Sequence, residues 1–503
     1  MTTITNAPFS LIIFGASGHL AQLKLYPELY VLALKKRLPK DYAIVGFSRK
    51  EMSSDEFNKL VEDSVRTNMP AVTEDAIKDF LAHVHYHQGQ YSEEADFSAL
   101  NDELTNIESG WGNPVRLAYF SIPPTVFADT AHNLCKGGVH KKEIPFRCIV
   151  EKPVGHDLKS FEKIKKELVG CFKEKEIYLL DHYLGKEAVR NIFYLRYANP
   201  VVEQILSGNL IHHVEVTAFE SQGLEGRAGY FEETGTFRDM FQSHMLMMAS
   251  LLTMNLVEKE SSLIKSRSEA LKQFYLPPAS DLDEVVLQGQ YDSYADEEGV
   301  QKGSKTNTFA ALKLLSRNKD WQGVPFYFRS GKMLGKKETR ISITFTDGPD
   351  SCEGACEAIQ YKNSKKTNKL DETDAESAVV PLCGTKVDAN CLDIILQGEA
   401  GMRLHLQTKK GGSKPKFRKL LLEDPLVCEG DCLPEHSLLM LEAIYGKKQW
   451  FLTFDEIQTA WRLVDPIQAY LDASTTPLFK YKTGTNGPTE ADEWIKRDGI
   501  SFN

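Results

Sequence analysis

Along residues 10–180 short apolar runs alternate with stretches of helical periodicity. The runs are SLIIF, DYAIVGFSR, HVHYHQGQY, RLAYFSIPP, IPFRCIV and IYLL, and the first leads through a glycine loop into the helical pattern LYPELYVLALKKR. Strands alternating with helices indicate a parallel sheet covered on its faces, because parallel neighbours need a crossover segment between them. From about residue 205 the rhythm changes to period-two segments: LIHHVEVTAFES, EVVLQGQYDS, FAALKLLSR, VPFYFRSGK, RISITFTDG, CLDIILQG and MRLHLQTKK. Such alternation buries one face of each strand and suits a large antiparallel sheet. The expected architecture is an α/β domain over residues 1–180, then a larger α+β domain with a mainly antiparallel sheet over residues 181–503. TFDEIQTAWRLV, with Thr453 and Glu456 at capping-box spacing, predicts a late helix. The polar stretch Pro349–Ser377 reads as a surface excursion.

The loop GASGHLA spans Gly15 to Ala21 and joins the first strand to the first helix. In this setting Gly15 permits the tight turn, Gly18 admits a pyrophosphate close to the backbone, and small Ala21 lets helix and strand pack. The first domain is therefore expected to be of the Rossmann type and to bind a dinucleotide. Gly15, Ala16, Ser17, Gly18, His19 and Leu20 would lie beside the cofactor. The second strand ends in GFSRK, with Arg49 and Lys50 where an enzyme using NAD places an acid for the ribose hydroxyl. A guanidinium suits a 2′-phosphate, so NADP is favoured; a solvated Arg–Lys pair would look the same in sequence.

Charge and cysteine content narrow the classes. A net charge of −10 argues against general nucleic-acid or membrane-surface binding. The longest apolar window, Met245 to Val257, is too short and too polar-flanked to span a bilayer, and SLIIF lacks the flanks of a secretory signal. Nine scattered cysteines suit a reducing compartment, so a soluble cytoplasmic protein is expected, with CEGAC (Cys352, Cys356) and CEGDC (Cys428, Cys432) as reduced thiols. His83, His85 and His87 share one strand face, but no metal is expected there.

Three stretches carry titratable chemistry. IPFRCIV runs into Glu151-Lys152-Pro153, which puts Lys152 at the carboxyl end of a strand, the edge that borders ligands in open sheets. IYLL runs into DHYLGKE, Asp181 to Glu187. If a helix starts at Asp181, His182 and Lys186 share a face and can grip a phosphate, while Asp181 points elsewhere and is free to orient another group. An N-cap Asp with a solvated His and Lys is the plainer alternative. In GYFEETGTFRDMFQSHMLMM, His244 lies in an apolar helical context after Asp239. Such a histidine is commonly a core residue, yet oxidation of an alcohol by hydride transfer needs a base, and a carboxylate on its other nitrogen would fix its tautomer.

IVEKPVGHDLKS, LLDHYLGKE, EGRAGYFEETGTFRDMFQSHMLMM, WQGVPFYFRSGK and GPTEADEW follow one another in the chain. In this order they resemble the glucose-6-phosphate dehydrogenase family, from about Ser10 almost to the C-terminus. The resemblance implies oxidation of the C1 hydroxyl of glucose 6-phosphate by NADP⁺ to 6-phosphoglucono-δ-lactone and NADPH, the first step of the oxidative pentose phosphate pathway. It implies His244 as the base, Asp181 as its orienting carboxylate, and His182 and Lys186 as the phosphate grip with Tyr183 nearby. Lys152 would contact both sugar and cofactor, Glu220 and Asp239 would accept sugar hydroxyls, and Lys332 would complete the pocket. A homodimer or homotetramer through the C-terminal sheet is also implied.

Some positions depart from the family pattern. His19 stands where the family loop usually has Asp, and the stretch 349–392 is longer than the family norm. TKK at Thr408–Lys410 fits a second, structural NADP⁺ site, but Ile395 replaces the arginine that accompanies it, so no second site is expected. The competing reading is an inactive homologue that senses NADPH or acts as an assembly partner. Against it, Lys152, Asp181, His182, Lys186, Asp239 and His244 are all present.

Overall fold

The computed structural model describes residues 7–502 except 70, 225, 227, 278–281, 347–386, 413–416 and 474–476. The excursion after Pro349 and the CEGAC cysteines lie outside the described residues.

Each of the six early apolar runs forms a strand: β1 (Phe9–Phe14), β2 (Tyr42–Ser48), β3 (Val84–Gln88), β4 (Val115–Phe120), β5 (Phe146–Val150) and β6 (Ile177–Leu179). They pair in parallel in the order β3-β2-β1-β4-β5-β6. Strands buried on both faces need apolar side chains throughout, and β1, β2 and β4 are buried at every residue. The strand order reverses between β1 and β4, so the crevice beyond their carboxyl ends is where a ligand belongs.

The later runs form β7 (Ile211–Phe219), β8 (Phe274–Tyr275), β9 (Val286–Tyr291), β10 (Phe309–Ser316), β11 (Phe326–Gly331), β12 (Glu338–Phe345), β13 (Cys391–Gln397), β14 (Gly401–Lys409), β15 (Phe417–Pro425) and β16 (Leu478–Tyr481). These ten build one sheet in the order β15-β14-β13-β12-β7-β11-β10-β9-β16, with β8 paired to β10. It is mainly antiparallel, the exceptions among the described strands being β7 with β11 and β9 with β16. The sequence rhythm missed β8, β15 and β16. β8 has two residues, β16 has four, and β15 (FRKLLLEDP) carries charges at both ends that hide its alternation.

The chain forms two compact units, and their division does not follow a single boundary at 180/181. The first contains 1–193, 237–272 and 428–474; the second contains 194–236, 273–427 and 475–503. The later segments in the first unit are helices that cover its earlier ones. Helix Leu246–Thr253 is buried at every residue, which explains its lack of a polar face. Helix Glu435–Ile444 packs against the DHYLGKE turn, and helix Phe454–Ala473 against helix Leu158–Cys171. The expected capping box starts the last of these: Glu456 N donates to Thr453 Oγ1 at 3.2 Å and Thr453 N donates to Glu456 Oε2 at 2.8 Å. Among the described residues no helix is long and apolar enough to cross a membrane.

Candidate active site

Strand register assembles the reactive side chains of the first unit. β5 and β6 are parallel neighbours with Val150 opposite Leu179. Two residues further on, Lys152 and Asp181 leave the same end of the sheet side by side. The Lys152–Pro153 peptide is cis.

Asp181 caps the next helical turn, its Oδ1 accepting from Tyr183 N at 2.9 Å. The same oxygen meets His244 Nδ1 at 2.7 Å. An ionised carboxylate only accepts, so Nδ1 carries the proton and Nε2 presents a lone pair. The carboxylate is fully buried and its Oδ2 has no partner among the described residues. Burial alone would raise the Asp181 carboxyl, but His244, Lys152 and His182 around it hold it far below the usual carboxylate range. Burial lowers the His244 imidazole from its ordinary value, with Asp181 opposing and Lys152 reinforcing the shift. His244 is thus kept neutral near pH 7, as a base must be.

Lys152 donates to the Asp239 carbonyl at 3.0 Å and the Gln242 carbonyl at 2.8 Å, and its Nζ lies 3.5 Å from His244 Nε2. Burial lowers its pKa, opposed by the Asp181 and Asp239 carboxylates. Its two acceptors are backbone carbonyls exposed by a break in the helix, since Gln242 and Ser243 depart from helical geometry within Phe237–Met245. Ser243 has φ +80° and ψ −75°, the strained γ-turn region that non-glycine residues rarely occupy. The sequence pattern placed His244 within a helix; instead it follows directly on this break. A half-buried ammonium needs the carbonyls that an unbroken helix would consume.

The expected helix across DHYLGKE is also interrupted. Helix His182–Gly185 is one turn, Lys186 ends it with extended backbone, and a second helix runs over Glu187–Ala198. A Cβ on Gly185 would lie 2.7 Å from the Glu435 carbonyl oxygen, so helix Glu435–Ile444 approaches here as only glycine allows. The buried pair Arg190–Glu442, bonded at 2.7 and 3.0 Å, fixes the two helices together. His182 and Lys186 therefore flank one turn rather than share a continuous face.

The rings form a stack. Tyr183 lies against His244 with centroids 4.4 Å apart, Lys186 Nζ stands 3.9 Å from the Tyr183 ring centre, and the His182 and His244 rings meet edge to face at 4.8 Å. Burial first, then His244, push the His182 imidazole well below its ordinary value. Asp181, His182 and His244 also offer donor atoms within 4.8 Å of one another, but Asp181 Oδ1 and His244 Nδ1 already engage each other.

The glycine loop sits beyond β1. Gly15 has φ +83°, and a Cβ there would lie 2.1 Å from the Ser121 carbonyl oxygen. Gly15 N and Ala16 N donate to Phe47 O at 3.0 and 3.2 Å, Gly18 N donates to Gly15 O at 2.8 Å, and Ser17 Oγ bonds Ser48 Oγ at 3.2 Å. Ala21 is buried, Leu20 half-buried and His19 exposed. Arg49, exposed past the end of β2, has its guanidinium 5.5 Å from the Tyr91 ring centre. The loop shape fits a dinucleotide.

In the second unit, β7 and β11 pair in parallel with Phe219 opposite Gly331, which sets the next residues, Glu220 and Lys332, side by side as an ion pair. His83 Nδ1 bonds the Tyr42 carbonyl at 2.9 Å and His87 Nδ1 meets Glu103 at 2.7 Å, so both spend donor atoms within the fold. Cys428 and Cys432 are not the expected reduced thiols but form a disulfide, their Cα atoms 5.9 Å apart, well within bridging range. Sequence reasoning missed Gln242, Ser243 and the buried His436, which lies 3.6 Å from Glu151 of the EKP turn. An apolar helical window gives no sign of a backbone break.

Two family sequence models match the chain. "Glucose-6-phosphate dehydrogenase, NAD binding domain" covers residues 12–191, and "Glucose-6-phosphate dehydrogenase, C-terminal domain" covers 193–372 and 358–503. The chain belongs to the glucose-6-phosphate dehydrogenase family. Glucose-6-phosphate 1-dehydrogenase of Bacillus subtilis is 32% identical over 507 residues, covering 98% of this chain and 97% of the relative. That of Schizosaccharomyces pombe is 31% identical, covering 98% and 94%. A solved glucose-6-phosphate dehydrogenase in complex with glucose 6-phosphate is 28% identical, superposes with a TM-score of 0.85 and covers both chains fully. The Mycobacterium avium enzyme, at 24% identity and a TM-score of 0.81, shares the fold.

Proposed function

We propose that the chain oxidises the C1 hydroxyl of D-glucose 6-phosphate with NADP⁺, giving 6-phospho-D-glucono-1,5-lactone and NADPH. The observation that carries this reading is the 2.7 Å Asp181–His244 bond, which leaves a neutral Nε2 lone pair in a buried site. NADP⁺ supplies the acceptor for the hydride from C1. Gly15, Ala16, Ser17, Gly18, His19 and Leu20 would hold its pyrophosphate side and Arg49 its 2′-phosphate.

His244 Nε2 takes the C1 hydroxyl proton. Asp181 then faces an imidazolium, and that charge-assisted bond stabilises the state in which the proton has moved. Lys152, anchored on the Asp239 and Gln242 carbonyls, holds an ammonium beside Nε2 that orients the sugar oxygen and disfavours early protonation of the base. His182 and Lys186 take the substrate phosphate, with Tyr183 fixing Lys186 through its ring. Asp239, Glu220 and Lys332 are assigned to sugar hydroxyls by family likeness.

Assembly into a homodimer or homotetramer through the C-terminal sheet is part of this reading. It is supported by Leu421 and Leu422 on the edge strand β15, exposed at 47% and 50%.

The test is nicotinamide reduction followed spectrophotometrically with glucose 6-phosphate, comparing NADP⁺ with NAD⁺ and wild type with His244→Asn. Reduction of NADP⁺ that collapses in the variant, with substrate binding retained by calorimetry, is expected. A folded wild type inert with both nucleotides would favour the inactive-homologue reading instead.

A further inference from the structure

Away from the glycine loop and the catalytic residues, helices Phe127–Lys136 and Leu158–Cys171 flank a cavity of about 890 Å³. Cys135 in the last turn of one helix and Cys171 at the end of the other form a disulfide on its wall. Both cysteines are half-buried. The basic residues His132, Lys136, Lys163 and Lys166 line the same cavity and are all exposed. Asp129 and Glu167 are its acidic lining. His140, outside the cavity lining, has its Nδ1 3.5 Å from Cys135 Sγ and its Nε2 3.3 Å from Glu176.

We propose that Cys135–Cys171 is a thiol–disulfide exchange site for an anionic low-molecular-weight thiol of the glutathione type. The cationic lining attracts a thiol bearing two carboxylates, and the two acids offer partners for its single ammonium. The two sulfurs are chemically unequal. The incoming thiolate attacks Cys171 Sγ, the Cys135–Cys171 bond breaks, and the electron pair leaves on Cys135 as a thiolate. As an imidazolium, donating Nε2–H to Glu176 and Nδ1–H to the sulfur, His140 stabilises that leaving group. The product is a mixed disulfide on Cys171. A second thiolate attacking the mixed disulfide releases the Cys171 thiolate and the oxidised small thiol. In reverse, that oxidised small thiol is the oxidant that remakes the bridge.

The site is tested on the full-length chain oxidised with glutathione disulfide. It is challenged with glutathione, with cationic cysteamine or with neutral β-mercaptoethanol, then quenched by alkylation and mapped by mass spectrometry. Each rate is divided by that of the same thiol with 2-hydroxyethyl disulfide. The expected results are a glutathione adduct on Cys171 and a normalised rate about 10-fold higher for glutathione than for cysteamine at low salt. Lys163→Glu combined with Lys166→Glu should abolish that preference, with a much smaller loss of the β-mercaptoethanol rate because that thiolate carries one negative charge only. His140→Asn should slow opening by every thiol about 3-fold or more, because the leaving thiolate loses its partner. Failure of the bridge to form, an adduct on Cys135, or equal normalised rates for the anionic and cationic thiols would each overturn the proposal.

Discussion

Replacing Asp181 with Asn removes one charge from the most buried point of the candidate site. Oδ1 carries both the Tyr183 N–H bond and the His244 bond, while Oδ2 is buried without a partner among the described residues. The Asn amide can therefore keep its oxygen in the Oδ1 position and strand its NH₂ where Oδ2 was. The Nδ1–H tautomer survives, but the imidazolium formed on proton transfer faces a neutral oxygen. A hydrogen bond to a charged group is worth about 1.5–3 kcal/mol, or roughly 10- to 150-fold in kcat. If the amide turns the other way, its N–H faces Nδ1, the lone pair moves there, and losses approach 10,000-fold, as in other His–carboxylate pairs.

The pH profile separates this mechanism from simple loosening of the site. Asp181 raises the pKa of His244, so removing its charge lowers that pKa further. The base must be unprotonated to act, so the acid limb of kcat/KM should move to lower pH while the plateau falls. The expected signature is thus a variant at least 10-fold slower in kcat, with little change in KM, that keeps its residual rate further into acid. Steady-state kinetics from pH 4 to 9, with circular dichroism to confirm folding, would show it. A kcat within about 3-fold of wild type, or an acid limb that moves upward, would refute the assignment of Asp181 as the partner of a general base.

Arg49→Ala should weaken NADP⁺ by about 10- to 100-fold while leaving NAD⁺ nearly unchanged, measured by calorimetry with each nucleotide. Lys186→Ala should raise KM for glucose 6-phosphate about 10-fold or more with a much smaller change in kcat, and should leave turnover of unphosphorylated glucose unaffected in the same assay. Gly185→Ala places a Cβ 2.7 Å from the Glu435 carbonyl oxygen and should cost about 1–3 kcal/mol of stability, read as a lowered denaturant midpoint. The neutral, buried His244 should also make the fold acid-sensitive: below about pH 6.5 the unfolded chain takes up a proton that the folded one resists. Up to about 1.4 kcal/mol should then be lost per pH unit until the lowered folded pKa is reached, and His244→Asn should lose less over the same window.

Period-two and β–α rhythms revealed both sheets because they record which face of each strand is buried. They could not reveal β15, where charges interrupt the alternation, or which unit a helix joins. Helix Leu246–Thr253 is apolar all round, and helix Glu435–Ile444 covers the DHYLGKE turn, yet neither pattern states what it packs against. Lys152 and Asp181 were legible as chemistry because they follow strand ends, and His244 because an alcohol oxidation needs a base. Their geometry was not, because it depends on the Ser243 turn and on the close approach at Gly185. Neither Ser nor Gly in those contexts distinguishes a backbone break from an ordinary surface residue.

The three-part composition of the first unit bears on how the chain matures on the ribosome. Domains generally fold as they emerge, the N-terminal one first, at about 5–20 residues per second. Here the unit that begins at the N-terminus also needs residues 237–272, which bring His244, and residues 428–474, which bring the cover of the DHYLGKE turn. The second unit waits as long, because β16 pairs with β9 only after residue 478 has been made. Neither unit has its full complement of contacts until its last segment has been made, so the nascent protein carries two incomplete cores while the intervening residues are synthesised. Its yield in cells should accordingly respond more to chaperone supply and to slow codons ahead of residue 478 than its folded stability would suggest.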